Sequence, residues 1–165
     1  MTIPTGKILA CVNGVIGPAE NATVSVLDRG HVFGDGIYEV VRVDKGRLHG
    51  IDRHWRRLDR SLRALQIANL DLDLLRSQLD ATLKASGHTD AMVYLQVTRG
   101  TAPRAHAFPS DTPPNTLLLV QHFGDDKAHL RQTGAGVITH PDLRWARCDI
   151  KSINLLGSVL AAEAA

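Results

Sequence analysis

Two runs of helical periodicity lie between β-branched segments, and that arrangement leaves few ways to fold. Ile51, Trp55, Leu58, Leu62 and Leu65 recur at steps of three and four, as do Leu72, Leu75, Leu79 and Leu83. Such spacing gathers apolar side chains on one face of a helix. The first run carries Arg53, Arg56, Arg60 and Arg63 on its opposite, solvated face, with Arg57 off that stripe. Asp71 is placed to cap the second helix and Gly87 to follow its end. Ile37 to Val43, Ala91 to Thr98 and Thr116 to His122 read as strands. Strands, two helices and strands again define an α+β chain.

Other elements follow from turn chemistry. Ile8 to Val12, Asn13-Gly14 and Val15-Ile16 form a hairpin signal, because Asn-Gly tolerates positive φ. Thr23 to Val26 reads as a further short strand, and Asp44-Lys45-Gly46 turns the Ile37 strand back on itself. Gly124 to Arg131 is polar and reads as a linker. A strand from Ala135 to Thr139 and a Leu- and Ala-rich helix from Ser152 to Ala165 are expected after it.

Composition narrows the function classes. Apolar residues make up 44% and charged residues 22%, a globular mixture rather than a disordered one. A net charge of +2 without blocks of like charge gives no case for nucleic acid. Cys11 and Cys148 are isolated and match neither a disulfide framework nor a metal site. His49, His54, His88, His122, His129 and His140 show no ligand spacing either. The apolar run from Leu117 to Val120 is too short to span a bilayer, and the first residues lack a signal-peptide core. The chain reads as soluble and cytoplasmic.

Three clusters carry candidate chemistry. In Asp28 to Glu39 (DRGHVFGDGIYE), three glycines in seven residues mark a tight irregular loop before a strand. It is either an ordinary connection or a place where backbone approaches a ligand; its spacing is not a dinucleotide fingerprint. In Tyr94 to His106, a strand ends in a loop bearing Arg99, Arg104 and His106. That is either a solvated basic loop or a fork for a small carboxylate. In Arg144 to Leu156, Lys151 follows Ile150 and precedes the expected helix. Desolvation and the helix dipole would then favour its free amine, the form that makes a Schiff base. The plain alternative is a lysine whose ammonium reaches water.

Together these segments resemble the class IV, fold type IV, pyridoxal-phosphate aminotransferases, and within them the branch acting on D-amino acids. The resemblance rests on DRGHVFGDGIYEVV (28–41), HWRRL (54–58), YLQVTRGTAPRAHAFP (94–109) and RWARCDIKSINLLGSVLA (144–161). It covers nearly the whole chain, in the family's order. It implies pyridoxal 5'-phosphate as cofactor, held through Lys151, with Arg57 binding its phosphate. It implies that Tyr38, Arg104 and His106 trap the substrate α-carboxylate and that Val40 lines the substrate pocket. Arg104 and His106 would come from the neighbouring subunit, making the protein a homodimer. No metal is implied.

The implied reaction transfers the amino group of a D-amino acid, such as D-alanine, to a 2-oxo acid, such as 2-oxoglutarate. Lys151 would move the proton. Branched-chain aminotransferase and aminodeoxychorismate lyase are the alternatives within the family, and the Arg104-x-His106 pair argues against both. The resemblance also divides the chain: a small N-terminal domain over 1–126, a linker over 127–133, and the incomplete start of a larger cofactor-binding domain over 134–165. Family members carry the carboxylate for the pyridine nitrogen and further phosphate ligands beyond that point. A truncated, non-catalytic fragment that dimerises or binds ligand weakly is therefore a third expectation.

Overall fold

Short turns with positive φ set the first strands in place. The computed structural model describes residues 8–165. Strand β1 (Leu9–Val12) turns through Asn13 and Gly14 into β2 (Val15–Pro18). A one-turn helix, α1 (Arg29–Phe33), leads into β3 (Gly36–Asp44), which turns through Lys45 and Gly46 into β4 (Arg47–Leu48). The turn residues have φ of 50° and 87° in the first hairpin and 48° and 75° in the second. Positive φ at both positions matches the twist of the strands it joins.

Helices α2 (Ile51–Ala64) and α3 (Leu72–Ser86) then intervene before β5 (Ala91–Thr98) and β6 (Asn115–His122). Asp71 caps α3 by accepting from the amides of Asp73 and Leu74, and Gly87 ends it at φ 69°. The six strands form one antiparallel sheet in the order β2-β1-β6-β5-β3-β4.

Register decides which face is covered. Ile37 pairs with Val97, Glu39 with Leu95, Val41 with Val93 and Val43 with Ala91, and every one of these is buried. Leu58 and Leu62 of α2 and Leu75 and Leu79 of α3 pack onto this face, with Trp55 half-buried at its margin. Each such leucine contributes about 1.5–3 kcal/mol by leaving water. The other face carries Tyr38, Val40, Tyr94 and Gln96, all half-buried.

Four local expectations are corrected. Residues 23–26 form no strand; the Ser25 hydroxyl and carbonyl accept from the amides of Leu27 and Asp28 and turn the chain instead. Residues 28–34 of the glycine-rich cluster are not irregular but hold α1. Its N-cap Asp28 accepts from the Gly30 amide, and the chain leaves it at Gly34, φ 66°. The glycines there meet protein rather than ligand space: a Cβ on Gly36 would lie 2.7 Å from the Val97 carbonyl oxygen. Residues 135–139 form no strand, since no strand among the described residues lies alongside to complete a ladder. Instead the one-turn α4 (Leu130–Thr133) precedes a long irregular stretch.

The last helix, α5, runs Leu156–Ala164 and does not begin at Ser152. The Tyr38 amide donates to the Lys151 carbonyl at 3.0 Å, the Ile153 amide donates to Gly36 at 3.1 Å, and Ser152 bridges Ile37. Backbone committed to the start of β3 is not free to make a helical turn. Lys151 thus stands well before a helix N-terminus, and the dipole argument for its amine does not apply.

Candidate active site

The seam between β3 and residues 151–153 fixes Lys151 beside the open face of the sheet. A cavity of about 360 Å³ opens there, lined by Tyr38, Arg57, Arg60, Lys151, Ser152 and Asn154 together with residues of the 144–150 segment. Lys151 Nζ lies 3.9 Å from the centre of the Tyr38 ring, within cation–π range when the amine is charged. Tyr38 itself stacks on Tyr94 with ring centres 5.7 Å apart. Burial, with the nearby Tyr38 phenol, pushes the Tyr94 hydroxyl up to about 12. It stays neutral and donates to Gln96 Oε1 at 2.7 Å.

Arg57 reaches the same cavity from α2, and a residue that the sequence reading missed holds it. Glu39 is 1% exposed on the helix-covered face of β3. Its carboxylate accepts from Arg57 Nε and Nη2 at 2.7 and 2.6 Å, and His54 Nδ1 lies 2.7 Å away. The hydrogen bond to Glu39 holds the Arg57 guanidinium above its ordinary pKa. The signal for Glu39 was present in the alternation of IYEVVRV, which sets a carboxylate in register with Ile37, Val41 and Val43. A buried carboxylate demands a cationic partner.

The other expected residues lie elsewhere in this chain. Arg104 and His106 are exposed on the β5–β6 connection and rest on Phe33: the Arg104 guanidinium carbon is 5.2 Å from the ring centre and the His106 ring 5.4 Å. Neither lines the Lys151 cavity, and neither does Val40, which pairs with Tyr94. Arg99, the third cation of that loop, is not a ligand fork at all. It is buried, with Nε and Nη2 on Asp35 at 2.8 and 3.0 Å and further bonds to the carbonyls of Leu65 and Gln66.

A lysine amine, a phenol and a guanidinium that share one cavity suit an enzyme that ties a phosphorylated aldehyde to a lysine. Residues 36–165 match the family model described as amino-transferase class IV, and the chain belongs to that family. The D-alanine aminotransferase of Staphylococcus epidermidis is 39% identical over 153 residues, which cover 92% of this chain and 54% of that protein. The solved 4-amino-4-deoxychorismate lyase of Pseudomonas aeruginosa superposes with a TM-score of 0.79 at 31% identity, over 94% of this chain and 56% of that one. The Escherichia coli branched-chain amino acid aminotransferase shares the fold, with a TM-score of 0.68 at 15% identity over 76% and 43% of the two chains. The chain spans about half the length of the curated relatives it matches.

Members of this family depend on pyridoxal 5'-phosphate. The residues present fit that group: the cavity offers a primary amine for its aldehyde, an aromatic flank, and cationic Arg57 and Arg60 for its phosphate. Among the described residues no helix is long and apolar enough to cross a membrane.

Proposed function

We propose that this chain carries the lysine and part of the substrate trap of a homodimeric aminotransferase that moves the amino group of D-amino acids to 2-oxo acids. The observation that carries the reading is the single cavity uniting Lys151, Tyr38 and Arg57. When bound, pyridoxal phosphate supplies the electron sink that stabilises charge at the substrate Cα. Lys151 Nζ would hold the cofactor, and as a free amine it would take up and return the Cα proton. Arg57, aimed by Glu39, holds the phosphate.

Tyr38, with Arg104 and His106 of the neighbouring subunit, holds the α-carboxylate, and Val40 lines the substrate pocket. Fixing the carboxylate on one side presents the Cα proton of only one enantiomer to Lys151. The Arg104-x-His106 pair and the D-alanine aminotransferases at 39% identity support the D-series over the branched-chain and lyase activities. We assign residues 1–126 to the small domain, 127–133 to the linker and 134–165 to the beginning of the cofactor-binding domain.

Two measurements test this. Added pyridoxal phosphate is expected to give a visible absorbance band that borohydride abolishes and that Lys151→Ala lacks; no band in the parent protein overturns the assignment of Lys151. With 2-oxoglutarate as acceptor, D-alanine is expected to be consumed and L-leucine spared. Consumption of L-leucine alone, or release of pyruvate from 4-amino-4-deoxychorismate, overturns the D-amino acid reading.

A further inference from the structure

The loop that bears Arg104 and His106 has little structure of its own. Residues 103–108 are exposed and irregular, and among the described residues neither Arg104 nor His106 makes a side-chain hydrogen bond. A carboxylate fork with that freedom binds poorly unless something else orders it. Arg29 is placed to do so. It is 3% exposed, and its contacts grip the loop at two points. Its backbone amide donates to the Gly100 carbonyl at 2.9 Å, where the loop leaves β5. Its Nη1 donates to the Ala105 carbonyl at 2.6 Å, between the two trap residues, and Nη2 reaches the His106 carbonyl at 3.4 Å.

The remaining donor of that side chain anchors the grip. Nε of Arg29 donates to Asp35 Oδ2 at 2.8 Å, and the same oxygen accepts from Arg99 Nε at 2.8 Å. Arg99 in turn is bonded to the carbonyls at the end of α2. Two buried guanidiniums thus share one carboxylate, and carbonyls of the loop and of the turn after α2 supply the remaining acceptors. Phe33, four residues after Arg29 on α1, completes the arrangement. The Arg29 guanidinium carbon lies 4.8 Å from its ring centre, and the Arg104 and His106 side chains rest on the same ring.

We propose that Arg29 is a positioning residue for substrate recognition: it fixes the backbone between Arg104 and His106 and, with Phe33, presets both side chains for a carboxylate. This rests on the reading of Arg104 and His106 as the trap. A lysine at position 29 keeps the charge but has no planar fork, so it satisfies Asp35 or a loop carbonyl and not both.

The test compares Arg29→Lys, Phe33→Leu and Arg104→Gln in the pyridoxal phosphate-loaded, full-length protein. Arg29→Lys is expected to raise KM for D-alanine about 10- to 100-fold with a much smaller change in kcat, the scale of a displaced binding group. The lysine-bound cofactor absorbance is expected to stay unchanged. Hydrogen exchange of the cofactor-free protein supplies the second readout. Amides of 101–107 are expected to exchange at least tenfold faster, while those of β5 and β6 keep their protection. Phe33→Leu is expected to move both readouts in the same direction by less, and carries the test should Arg29→Lys not fold. If Arg104→Gln raises KM while the position 29 and 33 variants leave KM and loop exchange unchanged, the trap stands and the role of Arg29 is overturned. If Arg104→Gln leaves KM unchanged, the trap reading fails and this proposal falls with it.

Discussion

Two largely buried carboxylates among the described residues, Asp35 and Glu39, gather arginines into clusters of similar chemistry and different exposure. In one, Asp35 joins Arg29 and Arg99; the three side chains are at most 10% exposed and the guanidinium donors end on protein. In the other, Glu39 joins Arg57 and His54; the carboxylate is buried but the Arg57 side chain is 40% exposed and faces the Lys151 cavity. The first cluster is closed and fixes backbone. The second leaves a charged donor available to a ligand. Burial of the guanidinium, not the pairing itself, separates a structural knot from a group left open to a ligand.

The largest expected effect breaks the closed cluster. Asp35→Asn removes the carboxylate that, among the described residues, compensates two buried guanidiniums, and turns an NH₂ group toward them. A buried network broken in this way loses about 3–5 kcal/mol. For a chain of this size that lowers the melting temperature by about 2–4 °C per kcal/mol. Calorimetry checks it, and a shift of a degree or less would show that the cluster is not the knot described. Cofactor affinity, measured by absorbance titration, is expected to change little.

Glu39→Gln attacks the open cluster and is expected to show the reverse balance. The isosteric amide still accepts from Arg57, so the stability loss is about 1–3 kcal/mol. Pyridoxal phosphate affinity is expected to fall about tenfold, equivalent to 1.4 kcal/mol, because Arg57 keeps one of its two hydrogen bonds to position 39 and is less firmly aimed. Unchanged affinity in a folded variant would separate Arg57 from the phosphate.

These clusters also mark the limit of what the chain reveals before it is folded. Periodicity located β3, α2, α3, β5 and β6 nearly to the residue, because their apolar spacing matches the face they bury. Thr23 to Val26 and Ala135 to Thr139 read as strands for their composition, but a strand exists only where a partner completes its ladder, and that is a tertiary fact. The site divides in the same way. Lys151, Arg57 and Tyr38, whose roles come from the resemblance alone, line one cavity. Glu39, Asp35 and Arg29 were hidden because their role lies in contacts as far apart as residues 29 and 105. Alternation exposes only Glu39, as a carboxylate in an apolar stripe.

Acid sharpens the comparison further, with a smaller effect than either substitution. Burial alone would raise the Asp35 carboxyl, but the hydrogen bonds from Arg99 and Arg29 outweigh it and hold the folded pKa below the ordinary 3.8. A depressed carboxylate contributes stability that is complete above its unfolded value and is lost as pH falls through the folded one. Stability is therefore expected to decline below about pH 4 in the parent protein. Asp35→Asn is expected to show a shallower decline over the same range. Parallel acid curves for the two proteins would mean that Asp35 is not depressed.

The smallest effect comes from a pair that looks equivalent on paper. Asp59 and Arg63 lie four residues apart on α2 with an N–O distance of 2.6 Å, shorter than either Asp35 contact, yet their side chains are 37% and 74% exposed. Water and salt already solvate both charges, and ordering two long side chains offsets the Coulomb gain. Asp59→Asn is therefore expected to cost about 0.2–0.5 kcal/mol. Adding salt is expected to erase that difference, because exposed charges are screened within a Debye length of about 10 Å or less. The Asp35→Asn deficit is expected to persist in the same salt, since the buried guanidiniums are shielded from counter-ions. Equal salt sensitivity of the two variants would contradict the view that exposure, rather than distance, sets what an arginine–carboxylate pair contributes.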